Sequence, residues 1–120
     1  MKRIIIVDDD PGVREAFRLI FSPHNFEVAI YHNWSSILTD ESLVPDIYIL
    51  DKQLTGVDGL DICRFLKSRI STRHIPVIML SASPNIHVLA RQAGADDSLE
   101  KPFGVKALRA MVDRYTTVGR

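Results

Sequence analysis

Three short stretches of the chain are apolar without interruption: Ile4-Ile5-Ile6-Val7, Ile47-Tyr48-Ile49-Leu50 and Val77-Ile78-Met79-Leu80. Runs of this length are the pattern of strands covered on both faces, as in a parallel sheet. Phe26-Glu27-Val28-Ala29-Ile30 alternates, which places it nearer an edge. The short, mostly polar Asp97-Ser98-Leu99-Glu100 suits the opposite edge. Between these runs the apolar period becomes helical. Val13, Ala16, Phe17 and Ile20 share one face, with Asp10 placed to cap that helix and Pro11 at its first position. Trp34, Ile37 and Leu38 mark a second helix behind Asn33, and Ile62, Phe65, Leu66 and Ile70 a third. Ile86, Leu89, Ala90 and Ala93 mark a fourth, stopped by Gly94; Val105, Leu108, Val112 and Tyr115 mark a fifth.

The order is strand–helix repeated five times. Right-handed crossovers then put helices on both faces of one parallel sheet. The expected fold is a three-layer, doubly wound α/β domain, (βα)5, with a five-stranded parallel sheet in the order 2-1-3-4-5. A length of 120 residues fits one such domain, 1–120, with 116–120 read as a tail or the start of a linker.

In sheets of this kind ligands bind beyond the carboxyl ends of the strands, at the switch point between strands 1 and 3. Asp8, Asp9 and Asp10 follow strand 1, Asp51 ends strand 3, Ser81 follows strand 4 and Lys101 follows strand 5. Each has a plain structural role when taken singly. Asp10 is explained by capping, Asp51 by a turn, Ser81 by a turn hydroxyl or cap, and Lys101 by an exposed surface; Ser83 before Pro84 is the better cap for the fourth helix. As a set they say more. Clustered carboxylates repel one another unless a cation lies between them, and a lysine and a hydroxyl at the same edge suit an anion. Mg²⁺ takes oxygen ligands, commonly one or two carboxylates with waters and a phosphate oxygen. Asp9 and Asp51 can supply the carboxylates directly, Asp8 directly or through water, and Gln53 its backbone carbonyl. A carboxylate such as Asp51 can also attack phosphorus and become an acyl phosphate, a reaction that needs positioning and charge neutralisation more than covalent help.

Charge and cysteine content narrow the setting. Lys+Arg and Asp+Glu are both 15, which disfavours a nucleic-acid-binding surface. The lone Cys63 has no internal partner for a disulfide, which agrees with a reducing cytoplasm. No apolar run approaches the ~20 residues of a membrane span. No glycine-rich phosphate loop follows strand 1, so a nucleotide-binding domain is disfavoured.

The same residues carry a resemblance. The stretches Ile4-Ile5-Ile6-Val7-Asp8-Asp9-Asp10-Pro11, Pro45-Asp46-Ile47-Tyr48-Ile49-Leu50-Asp51, Gly56-Val57-Asp58-Gly59, Ile75-Pro76-Val77-Ile78-Met79-Leu80-Ser81-Ala82, and the run from Gly94 through Lys101-Pro102-Phe103 resemble the receiver domain of two-component response regulators. The resemblance covers nearly the whole chain. It implies that Asp51 accepts a phosphoryl group from a histidine kinase or phosphotransfer protein. It implies that Asp8 and Asp9 are the acidic pair for Mg²⁺, that Ser81 moves toward the phosphate, and that Lys101 senses it across a bond to Pro102 that is often cis. Two positions depart from the family's usual pattern: Thr55, where proline is common, and Ser98, where many members carry an aromatic ring that swings inward.

The implied protein is a switch that assists its own phosphorylation and dephosphorylation, not a conventional turnover enzyme. Phosphorylation would shift the surface made by the fourth helix, the last strand and the last helix, including Arg91, Asp97, Lys106 and Arg109. That surface suits a homodimer, a partner or an attached C-terminal output domain, with no direct nucleic-acid or membrane binding by this domain. Two other readings stay open at this point. One is a small Mg²⁺-dependent aspartate phosphatase, suggested by Asp8-x-Asp10. The other is a receiver-like binding module without phosphorylation.

Overall fold

The computed structural model describes residues 2–21, 26–35 and 44–117. In chain order the elements are β1 (Lys2–Val7), α1 (Pro11–Phe21), β2 (Phe26–Tyr31), β3 (Ile47–Asp51), β4 (Gln53–Leu54), β5 (Val57–Asp58) and α2 (Gly59–Ser68). They continue with β6 (Val77–Ser81), α3 (Ile86–Gln92), β7 (Asp97–Glu100) and α4 (Val105–Thr117). The main sheet is five-stranded in the order β2-β1-β3-β6-β7. All four of its ladders are parallel. Setting aside the two-residue strands β4 and β5, which pair antiparallel with each other, this is the predicted order 2-1-3-4-5. The helix marked by Trp34, Ile37 and Leu38 falls largely outside the described residues, although Asn33 Oδ1 does accept the Ser35 amide at its start, at 3.0 Å.

The unbroken apolar runs are explained by two cores. Ile5, Val7, Tyr48, Leu50, Val77 and Met79 point into the layer completed by α2 and α3. Ile4, Ile6, Ile47, Ile49, Ile78 and Leu80 point into the layer completed by α1 and α4. Successive side chains of a strand point to opposite faces, so a strand covered on both sides must be apolar at every position. Each such side chain contributes roughly 1.5–3 kcal/mol of transfer free energy when fully buried.

Helix ends show where local sequence was sufficient. Asp10 Oδ1 accepts the Gly12 amide at 2.9 Å and caps α1, as the sequence predicts. Asp58 caps α2 by accepting the Leu60 amide. Gly94, with φ +89°, ends α3. There the Gly94 amide returns to the Arg91 carbonyl and the Ala95 amide to the Ala90 carbonyl, the paired closure that a left-handed residue permits.

Four expectations are corrected. Ile70 does not extend the face of α2, because that helix stops at Ser68 and Ile70 is 79% exposed. Ser83 does not cap α3; Asn85 holds the cap position without a side-chain bond, and the Ser83 amide donates to Ser81 Oγ at 3.0 Å. Thr116 is not tail. It lies buried within α4 and its hydroxyl donates to the Val112 carbonyl at 2.8 Å. Finally, Arg109 turns toward α1, where its guanidinium donates to the Ile20 carbonyl at 3.1 Å (Nη2) and 3.3 Å (Nε). It meets the carbonyl-rich end of that helix, where positive charge is favoured.

Candidate functional site

The backbone carries the key residues to one edge. Past the strands themselves, the Asp8 amide donates to Tyr31, the Lys52 amide to Leu80 and the Lys101 amide to Ser81, at 2.8–3.0 Å. These bonds continue the parallel ladders beyond β1, β3 and β7. Asp8, Asp51, Ser81 and Lys101 are therefore brought together at the carboxyl edge, as strand order predicts.

Their contacts are specific. Lys101 Nζ lies 3.3 Å from Asp51 Oδ1 and 3.8 Å from Asp8 Oδ2. The Lys101–Pro102 peptide is cis. Asp8 is wholly buried, and its Oδ1 accepts the Asp10 amide at 2.9 Å. Asp8 Oδ2 and Asp51 Oδ1 are buried with no hydrogen-bond donor aligned on them. Burial raises the pKa of Asp8, opposed chiefly by the Asp10 amide. Burial likewise raises that of Asp51, opposed chiefly by the Lys101 charge. Buried acceptors without donors are costly, so these two oxygens have an unmet requirement for positive charge. Lys101 meets it in part, and a small hard cation would meet it more fully.

Asp9 behaves differently. It is turned to the turn between β4 and β5, where Oδ2 accepts both the Thr55 amide at 2.7 Å and the Thr55 hydroxyl at 2.6 Å. Those two bonds lower its pKa. Among the described residues no three His, Cys, Asp or Glu side chains converge on one metal position. Asp9 is thus adjacent to the Asp8–Asp51 pair without being gathered into it. Two carboxylates with water and a carbonyl remain a fitting set for Mg²⁺.

Gln53 and Ser81 are coupled through side chains. The Ser81 hydroxyl donates to Gln53 Oε1 at 3.2 Å. As a metal ligand Gln53 would act only through its backbone carbonyl, so this side-chain contact is an addition. The segment from Asp51 to Gly59 is held firmly. The Gly59 amide donates to the Lys52 carbonyl, Lys52 Nζ pairs with Asp58 Oδ2 at 3.1 Å, and Gly56 takes φ +81° in the turn. A Cβ on Gly59 would fall onto the Asp51 carbonyl, 2.8 Å from its carbon. Only glycine lets α2 start this close to the strand that carries Asp51.

Ser98 sits away from this edge, in the middle of β7 beside Met79. It is buried, and its hydroxyl meets His87 Nδ1 of α3 at 2.7 Å. Together with Arg91, Asp96 and Asp97 they line a recess of about 190 Å³. Of the four charges expected on the neighbouring face, Arg91 and Lys106 are exposed. Asp97 is half-buried and accepts the Tyr115 hydroxyl at 2.9 Å, whereas Arg109 faces α1. Three partners escaped the sequence: Thr55, the Gln53 side chain and His87. A hydroxyl in a turn and a histidine on a helix carry no periodic signal, and only the strand order brings them to their partners. No helix among the described residues is long and apolar enough to cross a membrane.

Comparison with known proteins agrees with this geometry. Residues 4–113 match the family description "Response regulator receiver domain". The chain is 37% identical over 114 residues to the DNA-binding response regulator MtrA of Mycolicibacterium smegmatis, covering 92% of this chain and 49% of that protein. It thus spans about half the length of the regulators it matches. Among solved structures, it is similar to the signal receiver domain of a signal transduction histidine kinase from Syntrophus aciditrophicus. That match has TM-score 0.88 and 31% identity, and covers 100% of this chain and 94% of the other. It is also similar to the response regulator TrrA of Thermotoga maritima in complex with Mg²⁺ and a beryllofluoride. There the TM-score is 0.84 at 26% identity, over 96% of this chain and 99% of the other.

Proposed function

The chain belongs to the response regulator receiver domain family, and from that premise we propose that Asp51 is the phosphoryl acceptor of a two-component switch. The observation that carries the assignment is the buried Asp51 carboxylate, its Oδ1 3.3 Å from Lys101 Nζ at the carboxyl edge of the sheet. The expected metal set is the carboxylates of Asp9 and Asp51, Asp8 directly or through water, and the Gln53 backbone carbonyl. Mg²⁺ bound there would neutralise charge on the phosphoryl oxygens during transfer.

The chain's own groups supply the rest. An Asp51 carboxylate oxygen attacks the phosphorus of a donor phosphohistidine. The P–N bond breaks, the imidazole leaves with its electron pair and takes a proton from water, and Asp51 becomes an acyl phosphate. Lys101, already paired with Asp51, keeps its charge and pairs instead with a phosphoryl oxygen. Ser81 exchanges Gln53 Oε1 for another phosphoryl oxygen, which links the product state to the end of β6. In a separate step, water attacks the phosphorus of the acyl phosphate, the bond to the Asp51 oxygen breaks, and inorganic phosphate leaves with the carboxylate restored, so the domain assists its own phosphorylation and dephosphorylation without being a turnover enzyme.

The implied partners are a sensor histidine kinase or phosphotransfer protein in the cytoplasm. Its relatives' greater length supports an output domain attached beyond α4, with residues 1–120 forming the receiver unit. The face of α3, β7 and α4 would pair with a second copy or that output domain. The test is direct. Incubation with Mg²⁺ and acetyl phosphate should give a hydroxylamine-labile adduct of one phosphoryl group by intact mass, and Asp51→Ala should give none. An adduct on Asp51→Ala would overturn the assignment.

A further inference from the structure

We infer that Thr55 restrains Asp9, and so sets the concentration at which this site takes up a divalent cation. The inference rests on the proposal that Asp9 is a Mg²⁺ ligand. Thr55 lies at the tip of the β4–β5 hairpin, between Leu54 and the left-handed Gly56. It places two donors on one oxygen of Asp9, the amide at 2.7 Å and the hydroxyl at 2.6 Å. These are the lengths of charge-assisted bonds. The Asp8, Asp9 and Asp51 carboxylates do not converge on one point in this arrangement.

To serve as a ligand Asp9 must turn off Thr55. A cation therefore competes with two hydrogen bonds, and its apparent affinity is reduced by the fraction of molecules in which Asp9 is free to turn. The fork also ties the loop after β1 to the hairpin after β3, so loading the site loosens the hairpin tip. Thr55, Leu54 and Val57 line a recess of about 260 Å³ with His32, Asn33 and Trp34. Trp34 is the chain's one tryptophan and packs edge-on against Phe65, with ring centroids 5.4 Å apart. Its indole shares that recess with the hairpin, so its emission should change when the hairpin moves.

Two substitutions isolate the effect. Thr55→Val keeps the amide and the shape but removes the hydroxyl, and Thr55→Ser keeps both donors. Mg²⁺ alone is titrated into each protein, without any phosphodonor, by calorimetry and by Trp34 emission. Thr55→Val should bind Mg²⁺ roughly tenfold more tightly than the parent, the low end for one hydrogen bond to a charged group. Thr55→Ser should bind as the parent does. Unchanged or weaker binding by Thr55→Val overturns the inference, and weaker binding would make Thr55 a group that presents Asp9 instead. A parent protein that takes up no Mg²⁺ removes the ligand assignment itself and this inference with it. The two failures are therefore distinguishable.

Discussion

Lys101 Nζ stands 3.3 Å from Asp51 Oδ1, but the charge it brings does not offset the burial of that carboxylate. The net effect raises the Asp51 pKa above its ordinary 3.8. The charged form is therefore held in the folded protein at a cost. Replacing it by a neutral isostere should relieve that cost.

Asp51→Asn should accordingly stabilise the fold near pH 7, because the neutral amide escapes the burial cost that outweighs the Lys101 charge. The sign follows from linkage. A carboxyl whose folded pKa is raised costs stability in full above that folded pKa. The cost shrinks as pH falls through it and is gone below the unfolded value of 3.8. Urea titrations of parent and variant at pH 7 and at descending pH should show a gap that closes on acidification. A gap that widens would contradict the burial argument.

The close approach of α2 to β3 makes a second prediction. Gly59→Ala forces a methyl against the Asp51 carbonyl, a backbone atom that cannot rotate aside. Overpacking of this kind costs about 3 kcal/mol. Chemical denaturation should show that loss, and Mg²⁺ titration should show weakened binding, because the atoms displaced belong to Asp51 itself.

The bridge between α3 and β7 can be measured as an energy. His87 Nδ1 and Ser98 Oγ are 2.7 Å apart, and Ser98 is buried. Stabilities of His87→Ala, Ser98→Ala and the double variant form a double-mutant cycle. A coupling of about 0.5–1.5 kcal/mol is expected for one hydrogen bond. A coupling near zero would mean that the recess at β7 holds no bond between the helix and the strand.

Cys63 offers a probe of global opening. It is fully buried, and burial pushes its thiol up to about 11. Thiolate is scarce at ordinary pH and the sulfur is inaccessible, so reaction with a disulfide reagent at pH 8 should occur only through unfolding. The labelling rate in native buffer should track stability across the variants above. Fast labelling independent of stability would reveal a local opening of α2.

The sequence and the structure agree where the physics is repetitive. Strand runs such as Ile4–Val7 are legible because both faces are buried, and strand order follows from the crossovers. The edge position of Asp8, Asp51, Ser81 and Lys101 then needs no side-chain information. The details that escape depend on single contacts at long sequence separation. Asp9 and Thr55 are 46 positions apart, and Arg109 and Ile20 are 89 apart. Ile70 misleads for a related reason: its spacing is helical, but the chain leaves the helix two residues earlier.

Arg109 also makes the two sides of the sheet unlike in how their helices are tied by side chains. On one side its guanidinium rivets α4 to the end of α1, and both helices run eleven residues or more. On the other side α3 is a seven-residue helix, with His87–Ser98 as its side-chain hydrogen bond to the edge strand. A disturbance that begins at Asp51 and enters β6 meets a backing plate in one direction and a light lever in the other. Amide exchange should accordingly be faster in α3 than in α1 and α4. A message from the site would then leave the molecule by the side that yields.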